Sequence, residues 1–311
     1  MSETYVVTGG AGFIGSHIAE RLLKDGQQVR IVDNFSTGKR QNIAHLNGDL
    51  DVHEISITDL DALHKAFAGA DYVLHQAALP SVPRSIDDPL TTHEYNVTGT
   101  LNVLIAARDA GVRRVVYAAS SSAYGDVEGE YKVESMPPRP LSPYGISKLT
   151  GEYYCQVFTG VYGLETVALR YFNVFGPRQD ETSQYSAVIP LFISAMLRGQ
   201  PPTIYGDGTQ SRDFTYIDNV VHGNLLALRA PRAAGQVMNL ATGGRFSLLD
   251  LVDAINELLG TQIAPQHAAP RSGDIKHSRA DIARARDLLG FEPVVTFLDG
   301  LARTIEWYRT R

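Results

Sequence analysis

The stretch GGAGFIG, residues 9–15, stands between the β-branched run TYVVT and a segment whose apolar residues repeat at the helical period. It places Gly9, Gly12 and Gly15 in a GxxGxxG arrangement. Glycines at these positions permit a tight turn, close approach of the backbone to a pyrophosphate, and close packing of helix on strand. The amino terminus of the helix then offers N–H groups to the phosphates. The stretch therefore predicts a strand, loop and helix that bind a dinucleotide.

An acid after the second predicted strand supports this interpretation. The run QVRIVD ends at Asp33, eighteen residues after Gly15, where a carboxylate accepts hydrogen bonds from both hydroxyls of an adenosine ribose. The same carboxylate would repel the 2′-phosphate of NADP, so Asp33 favours NAD. Lys39 and Arg40 follow shortly and are interpreted as solvated surface charge.

Short β-branched runs alternate with amphipathic segments over the first half of the chain. The runs are TYVVTGG, QVRIVD, DVHEISI, DYVLHQA, RRVVYAA and ETVALRY, and helical periodicity appears at 14–25, 60–68, 97–110 and 144–160. This alternation predicts an α/β fold with a doubly wound parallel sheet of the Rossmann type.

The second half of the chain is organised differently. Loop-forming residues dominate after about residue 173, and helical periodicity returns at 248–259, 279–289 and 297–309. The runs FTYI and QVMNLA are late strand candidates that could return to the first sheet. We therefore predict a discontinuous dinucleotide-binding domain, 1–172 plus roughly 214–243, and a smaller substrate-binding domain, 173–213 plus roughly 244–311.

Composition argues against several other classes of protein. The formal net charge is −6 and no long Lys/Arg run is present, which argues against a nucleic-acid partner. The single cysteine, Cys155, rules out an internal disulfide, and the nine histidines show no metal-ligand spacing, so no metal is expected. No apolar run reaches eighteen residues, and the amino terminus lacks a signal-peptide pattern. We expect a cytoplasmic enzyme or binding protein with no membrane partner.

The stretch SPYGISK, residues 142–148, places Tyr144 and Lys148 one helical turn apart on one face. A nearby ammonium favours the phenolate and lowers the pKa of a tyrosine, which would make Tyr144 a base near neutral pH. Ser142 is placed to cap this helix, with Pro143 in its first turn. An isolated YxxxK pattern is more often an exposed helix face, so the interpretation depends on its surroundings.

A serine cluster, AASSSAYG, supplies those surroundings at the end of the preceding predicted strand. Strand alternation would send Ser120 and Ser122 to one side and Ser121 to the other. Ligands bind at the carboxyl ends of the strands in such sheets. A Ser120 hydroxyl there would hold a substrate oxygen while Tyr144 takes its proton and a nicotinamide takes a hydride. Ser120, Tyr144 and Lys148 are therefore the candidate catalytic residues.

Several motifs together resemble the extended short-chain dehydrogenase/reductase family. They are TGGAGFIG, the acid at Asp33, HQAA at 75–78, Asn96, the serine cluster, YGISK and RYFNVFGPR, and they occur in the family's order over nearly the whole chain. Within the family, HQAALPSVPRS, GDGTQSRDFTYI and RSGDIKHSRAD are similar to bacterial UDP-N-acetylglucosamine 4-epimerases and to UDP-glucose 4-epimerase. One departure is Ser56 before Ile57, where many relatives carry an acid that contacts the adenine.

The resemblance implies a set of residues that contact NAD. They are Gly9, Gly12, Phe13, Ile14, Gly15, Asp33, Asn34, Ser36, Thr37, Gly38, Ser56, Ile57, Gln76, Ala77, Ala78, Asn96, Tyr144, Lys148 and Phe172.

The resemblance also implies the contacts of a UDP-sugar substrate. Arg212 and Arg271 would clamp the diphosphate together with Asn173, and Asp274 would bind the uridine ribose. The remaining positions line the uracil or the sugar, and they are Val82, Ser122, Tyr144, Ala187, Val188, Phe192 and Ser278.

Positions beside the serines bear on which reaction follows oxidation at sugar C4. By resemblance, nucleotide-sugar 4,6-dehydratases would carry an Asp-Glu pair at positions 121 and 122, and UDP-glucuronate decarboxylases a Glu at 122, whereas this chain carries Ser121 and Ser122. The implied reaction is therefore NAD-dependent 4-epimerisation, in which the 4-keto sugar rotates and recovers its hydride.

The small side chain of Ser278 leaves room for a 2-N-acetyl group, where glucose-specific relatives have a bulky residue. UDP-GlcNAc/UDP-GalNAc is the expected substrate pair, and UDP-Glc/UDP-Gal is expected to be accepted. A UDP-glucose-only or UDP-glucuronate 4-epimerase and a non-catalytic NAD-binding protein are the alternatives. The segments 97–110 and 144–160 resemble those that form a four-helix dimer interface in relatives, so a homodimer is expected.

Overall fold

A seven-stranded parallel sheet forms the centre of the molecule. The computed structural model describes residues 2–127, 129–181, 187–270 and 276–311. The strand order is β11-β6-β5-β4-β1-β2-β3, and every neighbouring pair is parallel. The bounds are β1 Thr4–Thr8, β2 Gln28–Val32, β3 Leu50–His53, β4 Tyr72–His75, β5 Arg114–Ser120, β6 Glu165–Tyr171 and β11 Gln236–Leu240. The predicted doubly wound Rossmann sheet is confirmed.

Helices cover both faces of this sheet and build a smaller unit beside it. Their bounds are α1 Phe13–Lys24, α2 Leu60–Phe67, α3 Val82–Asp87, α4 Pro89–His93, α5 Gly99–Asp109, α6 Pro143–Tyr162, α7 Val188–Leu197, α8 Ile217–Arg229, α9 Leu248–Leu259, α10 Ala283–Leu289 and α11 Phe297–Arg309. Short 3₁₀ turns lie at Arg40–Asn42 and Ser121–Ala123, and a π-helical turn spans Glu94–Thr98. In the described ranges, no helix combines the length and apolarity needed to cross a bilayer.

Alternation along the strands divides the core into two layers. Val7 and Ile31 face a large cluster that includes side chains of α1 and α8. Val6 and Val32 face a second cluster, contributed by α2, α5 and α6. Because successive strand residues point to opposite faces, a strand buried on both faces is apolar at every position. This explains why the strands carry adjacent apolar residues rather than a strict alternation of apolar and polar residues.

The catalytic-helix candidate α6 begins and ends as its sequence indicates. The Ser142 hydroxyl accepts a hydrogen bond from the backbone N–H of Gly145 at 3.1 Å, and Pro143 occupies the first turn. The helix ends at Gly163, whose φ of 73° suits glycine. The predicted Ser142 cap is therefore confirmed.

Short strands build the remainder of the molecule. They are β7 Val174–Phe175, β8 Thr203–Tyr205, β9 Ser211–Arg212, β10 Thr215–Tyr216, β12 Phe246–Ser247, β13 Gln266–Ala268 and β14 His277–Ser278. Strand β10 pairs with β7, so the expectation that FTYI returns to the first sheet is wrong, whereas QVMNL does return as β11. The helix expected at 279–289 begins only at Ala283, because the backbone of Arg279 and Asp281 hydrogen bonds with Lys132 instead. The division into two domains stays a prediction.

Candidate active site

The glycine loop between β1 and α1 is shaped by contacts that admit no side chain. Gly9 has a φ of 67°, and a Cβ there would lie 2.8 Å from the backbone of Ala77. A Cβ on Gly15 would lie 2.2 Å from the carbonyl oxygen of Gly9. Both contacts are shorter than real Cβ atoms tolerate, so the loop closes onto the helix only with glycine at these positions. The amino terminus of α1 is thereby held at the carboxyl ends of β1 and β4.

Asp33 lies directly after β2 and is held by backbone donors. Its Oδ2 accepts a hydrogen bond from Ala11 N–H at 2.9 Å, and its Oδ1 accepts one from Phe35 N–H at 2.8 Å. Burial raises the pKa of this carboxyl, and the two N–H donors oppose that rise. A Cβ on Gly38 would lie 2.7 Å from both carboxylate oxygens, so glycine keeps them uncovered. The carboxylate is therefore fixed and open toward a ligand.

A cleft of about 720 Å³ runs from Asp33 to the start of α6. Seventeen of the sequence-predicted residues line it, and they are Gly9, Gly12, Phe13, Ile14, Gly15, Asp33, Asn34, Ser36, Thr37, Gly38, Ile57, Gln76, Ala77, Ala78, Tyr144, Lys148 and Ala187. One continuous cleft thus connects the predicted cofactor residues with the predicted catalytic tyrosine.

Three predicted cofactor residues do not line this cleft. The Ser56 hydroxyl bonds to Thr58 Oγ1 at 2.7 Å, which closes a local turn. The Asn96 amide bonds both backbone groups of Leu79 and the hydroxyl of Ser147, so it fixes the wall rather than forming its surface. Phe172 is buried in a small separate core.

The wall at the end of β6 is provided by Tyr171, which the sequence reasoning missed. Its hydroxyl lies 3.2 Å from Gln76 Oε1 and 3.0 Å from Asn224 Oδ1. Tyr171 directly precedes Phe172, and the alternation of side chains along β6 is the signal that could have distinguished the two.

Tyr144 and Lys148 share one face of α6, as predicted, but their electrostatic relationship differs from the prediction. Lys148 Nζ donates a hydrogen bond to the carbonyl oxygen of Ala118 on β5 at 2.8 Å. Burial lowers the pKa of the Lys148 ammonium to about 8. Burial raises the pKa of the Tyr144 phenol, and only the Ser120 hydroxyl opposes that rise. The expected lowering of the tyrosine pKa by the lysine is therefore wrong in this structure, because the ammonium is directed at β5.

The serine cluster lies against the start of α6. Strand β5 ends at Ser120, and a 3₁₀ turn over Ser121–Ala123 replaces the strand alternation that was expected there. Ser120 and Ser122 still meet, because the turn lets the Ser122 hydroxyl donate to Ser120 Oγ at 2.8 Å. Ser120 Oγ also accepts from Ser122 N–H at 3.2 Å, so its own proton is directed elsewhere.

On the substrate side, a small sheet brings two predicted residues together. Ser278 and Arg212 are direct partners in the parallel pairing of β14 with β9. The Arg212 guanidinium donates to the carbonyl oxygen of Ser211 at 2.9 Å. Arg271 and Asp274 lie outside the described residues.

The other predicted substrate residues that the structure describes differ in burial and backbone conformation. Asn173 has a φ of 29°, a left-handed backbone between β6 and β7. Phe192 is buried in the core and Val188 is partly buried against it, whereas Val82 is exposed at the start of α3. Of the predicted substrate residues that the structure describes, Ala187 and Tyr144 are the two that line the cleft itself.

Asp213, the neighbour of Arg212, is a buried residue that the sequence reasoning missed. Its Oδ1 accepts hydrogen bonds from the backbone and hydroxyl of Thr242 at 3.1 and 2.8 Å. Its Oδ2 accepts from the backbone of Gly243 at 2.9 Å and of Ala280 at 3.2 Å. Asp213 therefore ties together the two chain segments beside Arg212 and Ser278, an arrangement that has no local sequence signal.

Fold and site together define a dinucleotide-binding α/β protein with a serine, tyrosine and lysine beside the ligand cleft. A sequence model of the NAD dependent epimerase/dehydratase family matches residues 5–241. The chain belongs to this family. The predictions of the family, of an NAD-dependent enzyme and of NAD as cofactor are confirmed at this level, while the roles of individual residues stay predictions.

Individual relatives match over the whole chain. A putative UDP-glucose 4-epimerase of Methanocaldococcus jannaschii is 38% identical over 306 residues, 98% of each chain. The structure of UDP-N-acetylglucosamine 4-epimerase from Methanobrevibacter ruminantium, in complex with UDP-N-acetylmuramic acid, is 42% identical, with a TM-score of 0.95 over 100% of this chain and 99% of that chain. The UDP-glucose 4-epimerase of Thermus thermophilus, in complex with NAD, is 37% identical, with a TM-score of 0.89 over 98% of this chain and 99% of that chain.

Proposed function

We propose that this protein is an NAD-dependent 4-epimerase of UDP-hexoses. One observation carries the proposal: Tyr144, at the start of α6, lines the same cleft as Asp33, and the Ser120 hydroxyl at the end of β5 opposes the rise in the pKa of the Tyr144 phenol. This arrangement places a proton acceptor for a sugar hydroxyl beside a dinucleotide site. The names of the relatives support the same reaction class.

The residues present fit NAD. The glycine loop leaves room for a pyrophosphate at the amino terminus of α1, and Gly38 leaves both Asp33 oxygens uncovered for the adenosine ribose. When bound, NAD supplies a reversible hydride acceptor for the sugar C4 position.

Tyr144 is proposed to remove the proton from the C4 hydroxyl and later return it. The Ser120 hydroxyl already accepts two hydrogen bonds from Ser122, so its own proton is suited to donate to the Tyr144 oxygen or to the sugar oxygen. Donation to the phenolate stabilises the charged form of Tyr144. Lys148, whose ammonium is held by the Ala118 carbonyl, is proposed to contact the bound cofactor rather than to activate Tyr144.

The absence of an acid at positions 121 and 122 separates epimerisation from the other reactions of a 4-keto sugar. Ser121 and Ser122 are neutral, so no carboxylate at these positions would move a second proton from the sugar ring. The ketone then recovers its hydride on the opposite face, and net redox change is zero.

UDP-GlcNAc/UDP-GalNAc is the proposed substrate pair, and UDP-Glc/UDP-Gal is proposed to be accepted. Ser278 stands opposite Arg212 in the small sheet. Its small side chain is proposed to leave space for a 2-N-acetyl group, and Arg212 is proposed to bind the diphosphate. Extra space rejects a smaller sugar only weakly, so we expect permissiveness. Arg271, Asn173 and Asp274 are proposed to anchor the nucleotide while the sugar rotates.

Product analysis tests the proposal. The purified protein is incubated with NAD and separately with UDP-GlcNAc, UDP-Glc and UDP-glucuronate, and the nucleotide sugars are resolved by NMR. We expect UDP-GalNAc and UDP-Gal without net formation of NADH. Conversion of UDP-glucuronate alone would reassign the substrate, and conversion of none would leave a non-catalytic NAD-binding protein.

The two predicted domains are proposed to bind different ligands. Residues 1–172 plus roughly 214–243 would hold NAD, and residues 173–213 plus roughly 244–311 would hold the nucleotide sugar.

A homodimer is also proposed. Ile146, Tyr153, Val157 and Val161 are exposed and lie at helical spacing on one face of α6, beside exposed Leu90. A stripe of this length on a soluble enzyme favours a second copy of the same helix as its cover. Val157→Glu should yield monomers by sedimentation, whereas the control Val294→Glu, at another exposed valine, should leave the dimer intact. An unchanged mass for Val157→Glu would contradict this interface.

A further inference from the structure

We propose that Lys39 and Asp180 form a clasp that borders bound NAD and slows its release. The proposal rests on the NAD-binding part of the proposed function and extends it to retention of the cofactor. The two residues come from opposite sides of the cleft, one beside the ribose-binding loop and the other beyond β7.

Lys39 is fixed to the glycine loop. Its backbone N–H donates to the carbonyl oxygen of Ala11 at 2.9 Å, and the Asn42 amide donates to the same oxygen at 2.9 Å. The backbone N–H of Ala11 in turn binds Asp33. Lys39 therefore starts from a rigid position, directly after the Gly38 that leaves Asp33 uncovered.

Asp180 belongs to a segment, residues 176–181, that we call the strap. The strap lies across α1: the carbonyl oxygen of Pro177 bonds His17 Nε2 at 2.9 Å, and the Arg178 guanidinium pairs with Glu20. On its other side, the Tyr308 hydroxyl of α11 donates to the carbonyl oxygen of Gln179 at 2.6 Å. These anchors hold the strap from two helices.

The strap also has a constrained backbone. Arg178 has a φ of 67°, a left-handed conformation that non-glycine residues adopt at a cost. Gly176 has a φ of 155° at the start of the strap. Contacts with α1 and α11 therefore impose this path, which turns the strap toward the cleft.

The ion pair completes a bridge from the strap to the glycine loop. Lys39 Nζ lies 2.9 Å from Asp180 Oδ1. Both residues line the main cleft and also line a second cavity of about 310 Å³ on the outer side. The pair is thus a partition between the two spaces. A dinucleotide bound to Asp33 and the glycine loop would have this partition beside it.

The expected effect is modest because the pair is accessible to water. The Lys39 and Asp180 side chains are 39% and 38% exposed. Exposed pairs contribute little, and salt screens them. Release of NAD should therefore change about two- to fivefold, which corresponds to the energies of such pairs. Slow release suits a reaction that regenerates its oxidised cofactor in every cycle.

The test measures the rate at which the NAD-loaded protein loses labelled NAD to an excess of unlabelled NAD. Asp180→Asn and Lys39→Gln should each speed release about two- to fivefold. The double variant should be no faster than either single variant, because both remove the same contact. The exchanged pair Lys39→Asp with Asp180→Lys should restore slow release, and high salt should speed release from the unmodified protein.

A second exposed ion pair provides the matched control. Arg232 and Asp287 lie 2.9 Å apart and are 61% and 66% exposed, and neither lines the cleft. Asp287→Asn should leave the release rate unchanged. Single variants at the clasp that release NAD at the unmodified rate, or effects that multiply in the double variant, would overturn the clasp alone. A protein that binds no NAD would overturn the clasp and the proposed function together.

Discussion

Tyr144 is the residue on which the proposed chemistry depends most. Replacement by Phe keeps the ring and removes the hydroxyl that would accept the sugar proton. We expect Tyr144→Phe to lower kcat by about 10²- to 10⁴-fold, the range of a lost general base, and to leave NAD bound. Turnover and bound NAD are measured on the same preparation. Unchanged turnover with NAD still bound would eliminate Tyr144 as the base.

Ser278 is the residue proposed to set the size of the sugar pocket. Ser278→Tyr should suppress turnover of UDP-GlcNAc much more than turnover of UDP-Glc, because the added ring would occupy the space of the N-acetyl group. Ser278→Ala, which adds no volume, is the control and should change the ratio of UDP-GlcNAc turnover to UDP-Glc turnover little. Steady-state turnover of both substrates is measured for each variant. Equal losses on both substrates with Ser278→Tyr would exclude Ser278 as the residue that sets the size of the sugar pocket.

At the residue scale, the local backbone constraints could be predicted from sequence, whereas the directions of side chains could not. The reasons for glycine at Gly9 and Gly15 follow from the loop alone and agree with the structure. The spacing of Tyr144 and Lys148 was equally clear. The direction of the Lys148 ammonium depends on the Ala118 carbonyl of another element, which no spacing along α6 reveals.

At the scale of elements, a buried ion pair joins α6 to the sheet. Glu152 on α6 and Arg170 on β6 form two hydrogen bonds, at 2.9 and 2.7 Å, and their side chains are 2% and 5% exposed. The Arg170 guanidinium also lies 4.5 Å from the ring centroid of Tyr124, beyond the serine turn. The pair therefore fixes α6 relative to the serine turn.

Breaking this pair should be costly because the remaining charge stays buried. We expect Glu152→Gln to lower the free energy of unfolding by about 3–5 kcal/mol, measured by urea denaturation. The control Asp25→Asn removes the partner of Arg21 in an exposed pair and should cost about 1 kcal/mol or less. If both variants lose equally little, Glu152 does not hold the helix in place.

The long elements could be predicted from sequence, and the short ones could not. Strands β5 and β6 are seven residues long and largely buried, with adjacent β-branched residues near their starts, so the sequence pattern identifies them. Strands β7 and β10 have two residues each and exist only because they pair with one another. The 3₁₀ turn after Ser120 is capped by the Ser120 hydroxyl, which accepts from Ser122 N–H, and the serine run alone did not distinguish this turn from a continued strand.

At the scale of the whole molecule, buried histidines should make the fold sensitive to acid. Burial lowers the pKa of His75 to about 3, with the nearby Lys148 charge as a second cause, and burial lowers that of His17 to about 4. In an unfolded chain a histidine takes up a proton near pH 6.5. Below about pH 6.5 the unfolded chain therefore binds more protons, and the free energy of unfolding falls by about 1.4 kcal/mol per pH unit for each histidine.

His75→Gln should remove one histidine's share of this dependence. The ring lies between the hydroxyls of Thr8 at 2.7 Å and Thr100 at 3.0 Å, so Gln also costs some stability at neutral pH. Between pH 6.5 and 4.5 the variant should nevertheless lose about 2 kcal/mol less than the unmodified protein. His93→Gln, at an exposed histidine, is the control. If the free energy of unfolding falls with pH equally steeply in His75→Gln and in the unmodified protein, this account is contradicted.

Contacts between distant parts of the chain were beyond the reach of sequence reasoning. Lys39 was interpreted as solvated surface charge, yet it pairs with Asp180, which is 141 positions away. Asp213 likewise gains its role only where segments near residues 242 and 280 meet. Such contacts follow from the assembled fold, whereas the sheet, the glycine loop and the candidate catalytic residues follow from local patterns.

The central claim is that one hydride leaves sugar C4 and returns to it. UDP-GlcNAc carrying deuterium at C4 is converted in ordinary water, and the isotope at C4 of the UDP-GalNAc product is measured by NMR and mass spectrometry. The account predicts that the deuterium is retained at C4, because the hydride never exchanges with solvent. Product with solvent hydrogen at C4, or accumulation of reduced cofactor with a released ketone, would contradict it.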